Sequence, residues 1–168
     1  MDKNIFLRDH GWRITLAAFN RDLFLARDNV TVTEECIEVA QLAEAHTPWY
    51  YRLAGERLET IDFDGAMNDV GSRAIAVSNS AIIDLFPDHL EKVKQYRADY
   101  AVATPKEPLI IAEDRPSGAR FIPDGNHTAI ALYRNQVAGV KYEPVPAFVI
   151  RGTDLDKVFG DMVIAKRT

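Results

Sequence analysis

Five consecutive residues carry the densest chemistry in this chain: Asp124, Gly125, Asn126, His127 and Thr128. They follow the strand-like Arg120-Phe121-Ile122 and lead into Ala129-Ile130-Ala131-Leu132, which reads as helix. A chain turning sharply from strand into helix needs backbone freedom at the corner, and Gly125 supplies it. Asn126 is expected to cap the helix through its side-chain oxygen. The free N–H groups of the first turn then point outward and attract an anion. His127 and Thr128 add side-chain donors. Asp124 can orient His127, accept a proton or hold a metal-bound water. A purely structural account also covers these residues: a turn, a cap and a histidine bonded to backbone.

Candidate helpers stand near the corner in sequence. Glu113 is a candidate base or metal anchor, and next to Asp114 it also fits a solvated turn. Arg115, Arg120 and Arg151 are candidate phosphate ligands. Residues 62–69, with Asp62, Asp64 and Asp69, resemble a calcium loop superficially. The glycine comes fourth and the twelfth position is Arg73, so an acidic turn is expected. His10, His46 and His89 have no regular metal spacing with one another or with His127, and no zinc site is expected. There is no Walker loop, dinucleotide fingerprint or nucleophile elbow.

The elements that position the corner form the most regular block. Leu109-Ile110-Ile111-Ala112 reads as a strand, Arg115-Pro116-Ser117-Gly118 as a turn, and 120–122 as a returning strand. The helix reaches Val137, with Gly139 closing it in the left-handed conformation. Residues 145–150 supply a further strand, which Pro144 and Pro146 mark as edge or bulged. A short helix capped by Thr153 follows. Upstream, Thr31 and Glu34 fit a capping box, predicting a helix over 34–45 that ends before Pro48. Pro87 opens a helix over about 88–98. Residues 75–77 read as a short strand, 12–30 as either a helix or two short strands, and Trp49-Tyr50-Tyr51 as either core or contact surface.

At 168 residues the chain suits one compact domain with an extension, 1–100 elaborating a core at 101–168. The 47% hydrophobic and 27% charged composition excludes a disordered chain. The single cysteine, Cys36, read as a buried structural thiol, forms no internal bridge and points to a reducing, cytoplasmic setting. No apolar run of about 20 residues predicts a membrane span, and no signal-peptide core follows Met1. Residues 1–70 hold 13 acidic and 7 basic side chains against 12 and 13 in 71–168, so a phosphate meets less repulsion in the second half. No dense basic cluster marks a DNA footprint.

The stretch of about 105–151 resembles the ParB/sulfiredoxin superfamily. Its shared signature is a strand, an Asp-Gly-any-His-Arg corner, an alanine-bearing helix and a following strand. Asp124, Gly125, His127 and Ala131 fall on that pattern. The resemblance implies an α+β fold and a corner that binds nucleotide or phosphate groups. Members include partition proteins using cytidine triphosphate, nuclease-like proteins, sulfiredoxins and a kinase acting on free serine. Thr128 stands where the family has arginine, replacing a bidentate charged clamp by one hydroxyl. Either the ligand is less charged, another arginine substitutes, or the corner is a scaffold without chemistry. Asn126 stands where sulfiredoxins carry their reactive cysteine, which excludes that activity. No helix-turn-helix follows, which argues against a partition protein.

The resulting expectation is an α+β protein, a small mixed sheet with strand-turn-strand-helix-strand order and a helical N-terminal elaboration. It binds a nucleotide, with magnesium as a candidate companion, or a phosphorylated small molecule. Gly125, Asn126 and Thr128 cradle the anion with Arg120 or Arg151, and His127, Asp124 and Glu113 are available for phosphoryl transfer or hydrolysis. The alternatives are a non-catalytic protein-interaction module using the acidic and aromatic N-terminal half, and a DNA-binding or nuclease-like protein.

Overall fold

The computed structural model of the chain describes residues 1–14 and 18–167. Its elements run in order as α1 (Lys3–His10), α2 (Arg21–Ala26), β1 (Thr31–Ile37), β2 (His46–Ala54), β3 (Arg57–Ile61), α3 (Phe63–Asn68), β4 (Arg73–Ala76), α4 (Pro87–Tyr100), β5 (Leu109–Asp114), β6 (Arg120–Asp124), α5 (Asn126–Val137), β7 (Val145–Gly152), α6 (Leu155–Val158) and α7 (Asp161–Ala165). Short 3-10 turns lie between several of them. The fold is α+β, with one mixed sheet of seven strands in the order β1-β7-β5-β6-β2-β3 and β4 paired to β2. Strands from 1–100 and from 101–168 thus share the sheet: β1 pairs with β7 and β2 with β6.

Alternation along the central strands divides the core. Leu109 and Ile111 of β5, with Val145, Ala147 and Val149 of β7, face α4 and α5. Ile110, Ala112, Phe148 and Ile150 face the opposite way, among Phe6, Phe24 and Phe159. An uninterrupted apolar strand is what burial on both faces requires. The 109–137 block matches expectation closely. Gly118 takes a positive φ of 68° at the turn. At the end of α5, Gly139 has φ 102°, and the Val140 amide donates to the Asn135 carbonyl at 3.0 Å, closing the helix as predicted.

Several expectations fail. The helix over 34–45 is instead the edge strand β1 followed by a 3-10 turn at Val39–Leu42. Thr31, Val32, Thr33 and Ile37 are β-branched, and the ladder with β7 outweighs the local capping signal. The capping box is formed by Glu38 and Gln41. Pro48 ends no helix; it lies inside β2, where the register against β4 slips between His46 and Tyr50. Cys36 lies exposed on the edge strand. β7 is interior, bonded to both β1 and β5 in unbroken register, because its ladder with β5 begins only at Ala147, past Pro146. Asp154, with φ 52°, takes the cap position expected for Thr153. Residues 62–69 are mostly α3, with Asp62 as its cap, and the 75–77 strand lies at Arg73–Ala76. Of residues 12–30, the described part forms a 3-10 turn, α2 and an isolated bridge from Phe19 to Phe159; 15–17 lie outside the described residues.

Candidate functional site

The 124–128 corner forms the end of a cleft of about 840 Å3. Two features of β6 direct it there. Between the pairs Ala112–Phe121 and Ile110–Asp124, β6 carries one residue more than β5, a bulge spanning Ile122 and Pro123. A bulge absorbs a proline and re-aims the residues beyond it. Gly125 then turns with φ 93°, and a Cβ there would lie 2.5 Å from Leu109 Cδ2. Only glycine combines that dihedral with that approach.

Gly125, rather than Asn126, is the cap of α5. Asn126 is the first helical residue, so its oxygen lies past the position from which a cap reaches the free amides. A glycine cap has no side chain to occupy those amides. Asn126 is only 8% exposed, and its Oδ1 is buried without a hydrogen-bond partner. An orphaned acceptor of this kind is costly unless a ligand or water satisfies it.

His127 and Thr128 are half-buried on the cleft wall. His127 Nε2 lies 2.7 Å from His89 Nδ1, with the rings stacked at 5.0 Å. Trp49 covers both rings, at 4.6 Å from His89 and 5.0 Å from His127. The helices that carry the pair are locked further along: Arg97 Nε donates to Asn135 Oδ1 at 2.9 Å, and Asn135 Nδ2 returns a bond to the Arg97 carbonyl. The histidine and Arg97–Asn135 pairings therefore share one register between α4 and α5. Burial, with the neighbouring His89 and Lys92, pushes His127 down to about 4, so it is neutral at pH 7. When His89 donates, His127 keeps its proton on Nδ1 and offers it as a donor; the reverse tautomer makes that nitrogen an acceptor.

Asp124 is tied to Arg13. The guanidinium, only 7% exposed, reaches the carboxylate at 2.8 Å and the Pro108 carbonyl at 2.6 Å. Lys92 and Lys106 line the same cleft, with Asp99 and Glu107 offsetting their charge. Tyr96, Tyr100 and Trp12 supply aromatic surface. Arg13, His89, Lys92 and Trp49 are more than 30 residues from the corner in sequence, and no spacing signal joins them to it.

The other predicted site residues lie elsewhere. Glu113 accepts from Arg120 at 2.8 Å and Arg151 at 3.0 Å, and Arg151 also pairs with Glu35. Burial raises Glu113, yet the two arginine hydrogen bonds outweigh it and hold the carboxyl below its usual range. Glu113 and Arg120 border a different hollow, on the far end of β5 from Leu109. The structure therefore places the candidate base Glu113 and the candidate clamps Arg120 and Arg151 in a separate ion-pair cluster, satisfied by each other. Among the described residues no three metal-donor side chains converge. No helix among the described residues is long and apolar enough to cross a membrane.

The fold and site define an α+β protein with a glycine-capped helix opening onto a mixed-charge cleft. No family model matches the chain, and neither a curated protein nor a solved structure shows significant similarity to it.

Proposed function

We propose that the protein binds the phosphate of a nucleotide or other small phosphorylated molecule at residues 124–128, as a binding site first and a catalytic one only if His127 moves a proton. The observation that carries this reading is the glycine cap: the first turn of α5 faces an 840 Å3 cleft with no cap side chain over its amides. The resemblance to ParB/sulfiredoxin proteins and the strand-turn-strand-helix-strand order support the same reading. Arg13 neutralises Asp124, the carboxylate that would otherwise repel a phosphate at the corner. The aromatic residues of the cleft favour a nucleoside over bare phosphate. Magnesium would enter on the nucleotide's own phosphates. With Glu113 held elsewhere and Asp124 paired to Arg13, His127 is the group left for any phosphoryl chemistry.

The test is isothermal titration with nucleoside di- and triphosphates, with and without magnesium. Binding at or below millimolar concentration is expected, weakened at least tenfold by His127→Ala. No heat at millimolar ligand, or affinity indifferent to His127→Ala, overturns the reading.

A further inference from the structure

A second hollow lies on the other side of Trp49. Its volume is about 460 Å3, within the range of small-molecule sites. The walls are apolar: Trp49, Ile61, Phe63, Ile75, Ile83 and Phe86. Its floor is Asp161, the first residue of α7, only 2% exposed. The Tyr50 hydroxyl donates to Asp161 Oδ1, and the Ala18 amide donates to Oδ2 at 2.9 Å. Each carboxylate oxygen has a further lone pair. Asp62 stands exposed at the rim, and among the described residues neither lysine nor arginine lines the hollow.

This is an unusual place for a carboxylate. Buried acids are normally paired with a cation, because burial removes the water that stabilises their charge. Asp161 has two neutral donors and no positive partner among the described ion pairs. Burial accordingly pushes its carboxyl up to about 6. A ligand bringing its own positive charge would supply what the protein lacks. A carboxylate or phosphate would instead meet Asp161 and Asp62 in an apolar enclosure.

We infer that this hollow is a separate binding site for a small molecule with an apolar body and an ammonium group, the body against Trp49, Phe63 and Phe86 and the ammonium on Asp161 and the Tyr50 hydroxyl. The site shares Trp49 with the anion cleft, and His89, on its wall, is hydrogen-bonded to His127 on the cleft side. Its occupant is nevertheless defined by its own walls and floor, and the inference does not depend on the corner binding phosphate.

The experiment uses three probes that share a phenyl ring and a two-carbon arm: 2-phenylethylamine, 2-phenylethanol and phenylacetate, titrated calorimetrically into the full chain at pH 7.5. The amine is expected to bind at least tenfold more tightly than the carboxylate, with the alcohol between them. Asp161→Asn should reduce the amine-to-carboxylate ratio to below threefold. Should that variant fail to fold, Ile61→Trp, a change on the half-buried wall away from the floor, should abolish amine binding by filling the hollow. Nucleotide titration of the Ile61→Trp protein reports the other cleft independently. Equal affinity for the amine and the carboxylate overturns the proposal, as does absence of amine binding at 10 mM (about the weakest heat calorimetry resolves for such probes). Amine binding that survives Ile61→Trp overturns it as well.

Discussion

Two hollows meet at Trp49, and they are built on opposite principles. The cleft at residues 124–128 offers backbone amides, and the buried guanidinium of Arg13 is already committed to Asp124. The hollow over Asp161 offers a buried carboxylate inside apolar walls. In the first, the proposed selectivity rests on where the chain turns, at the positive φ of Gly125. In the second, the proposed selectivity rests mainly on side-chain identity gathered from residues as far apart as Trp49 and Asp161.

The contrast is broken most forcefully at Gly125. Gly125→Ala adds a Cβ 2.5 Å from Leu109 Cδ2 and demands φ 93° of a residue that disfavours it. We expect a stability loss of about 2–4 kcal/mol by urea denaturation and loss of nucleotide binding. At a temperature where the variant remains folded, its amine binding at the Asp161 hollow should be retained. Equal damage to both ligands would show that the hollows are one site.

A smaller effect is expected at Arg13. Arg13→Ala leaves Asp124 beside an open cleft and the Pro108 carbonyl without its donor. Asp124 is 36% exposed in its side chain and keeps much of its hydration, so the cost should be about 1–2 kcal/mol rather than that of a fully buried broken pair. Nucleotide affinity should fall more than tenfold, since the freed carboxylate repels phosphate. Unchanged affinity would assign Arg13 a purely structural role.

The two hollows also differ in how legible they were. The corner lies in five contiguous residues, and its neighbours 109–112, 115–118 and 126–137 obey local rules of alternation, turn chemistry and helix closure. Local signals misled where long-range pairing prevailed. Thr31 and Glu34 imitate a helix start, yet Val32 and Ile37 are held in the sheet by β7. Pro48 imitates a helix stop, yet it occupies a register slip that precedes Tyr50 in the ladder. Arg120 and Arg151 read as phosphate ligands for lying near the same block, whereas strand register sets Arg120 of β6 and Arg151 of β7 on either side of Glu113, at the other end of β5 from Leu109. The Asp161 hollow had no sequence signal, because its polar and apolar members come from eight separate stretches of sequence.

The smallest expected effect is one of slope, and it separates the hollows by proton uptake alone. His127 titrates near 4 in the folded protein against about 6.5 when unfolded. Its contribution to stability is complete above pH 6.5 and is lost as the pH falls towards 4, because only the unfolded chain takes up the proton in that window. Asp161 behaves oppositely. Its folded value is about 6 against an ordinary 3.8, so its contribution is complete below pH 3.8 and is lost as the pH rises through 6. Between pH 4 and 6 the two slopes oppose each other. Relative to the unaltered protein, stability measured by urea denaturation should fall more steeply with rising pH in His127→Ala and rise more steeply in Asp161→Asn. A nucleotide phosphate beside His127 should stabilise its protonated form and shift the His127 window upward, whereas an ammonium over Asp161 should favour the carboxylate and shift that window downward. The same shift from both ligands in one variant would mean that His89 and Trp49 couple the hollows too tightly for them to be distinct.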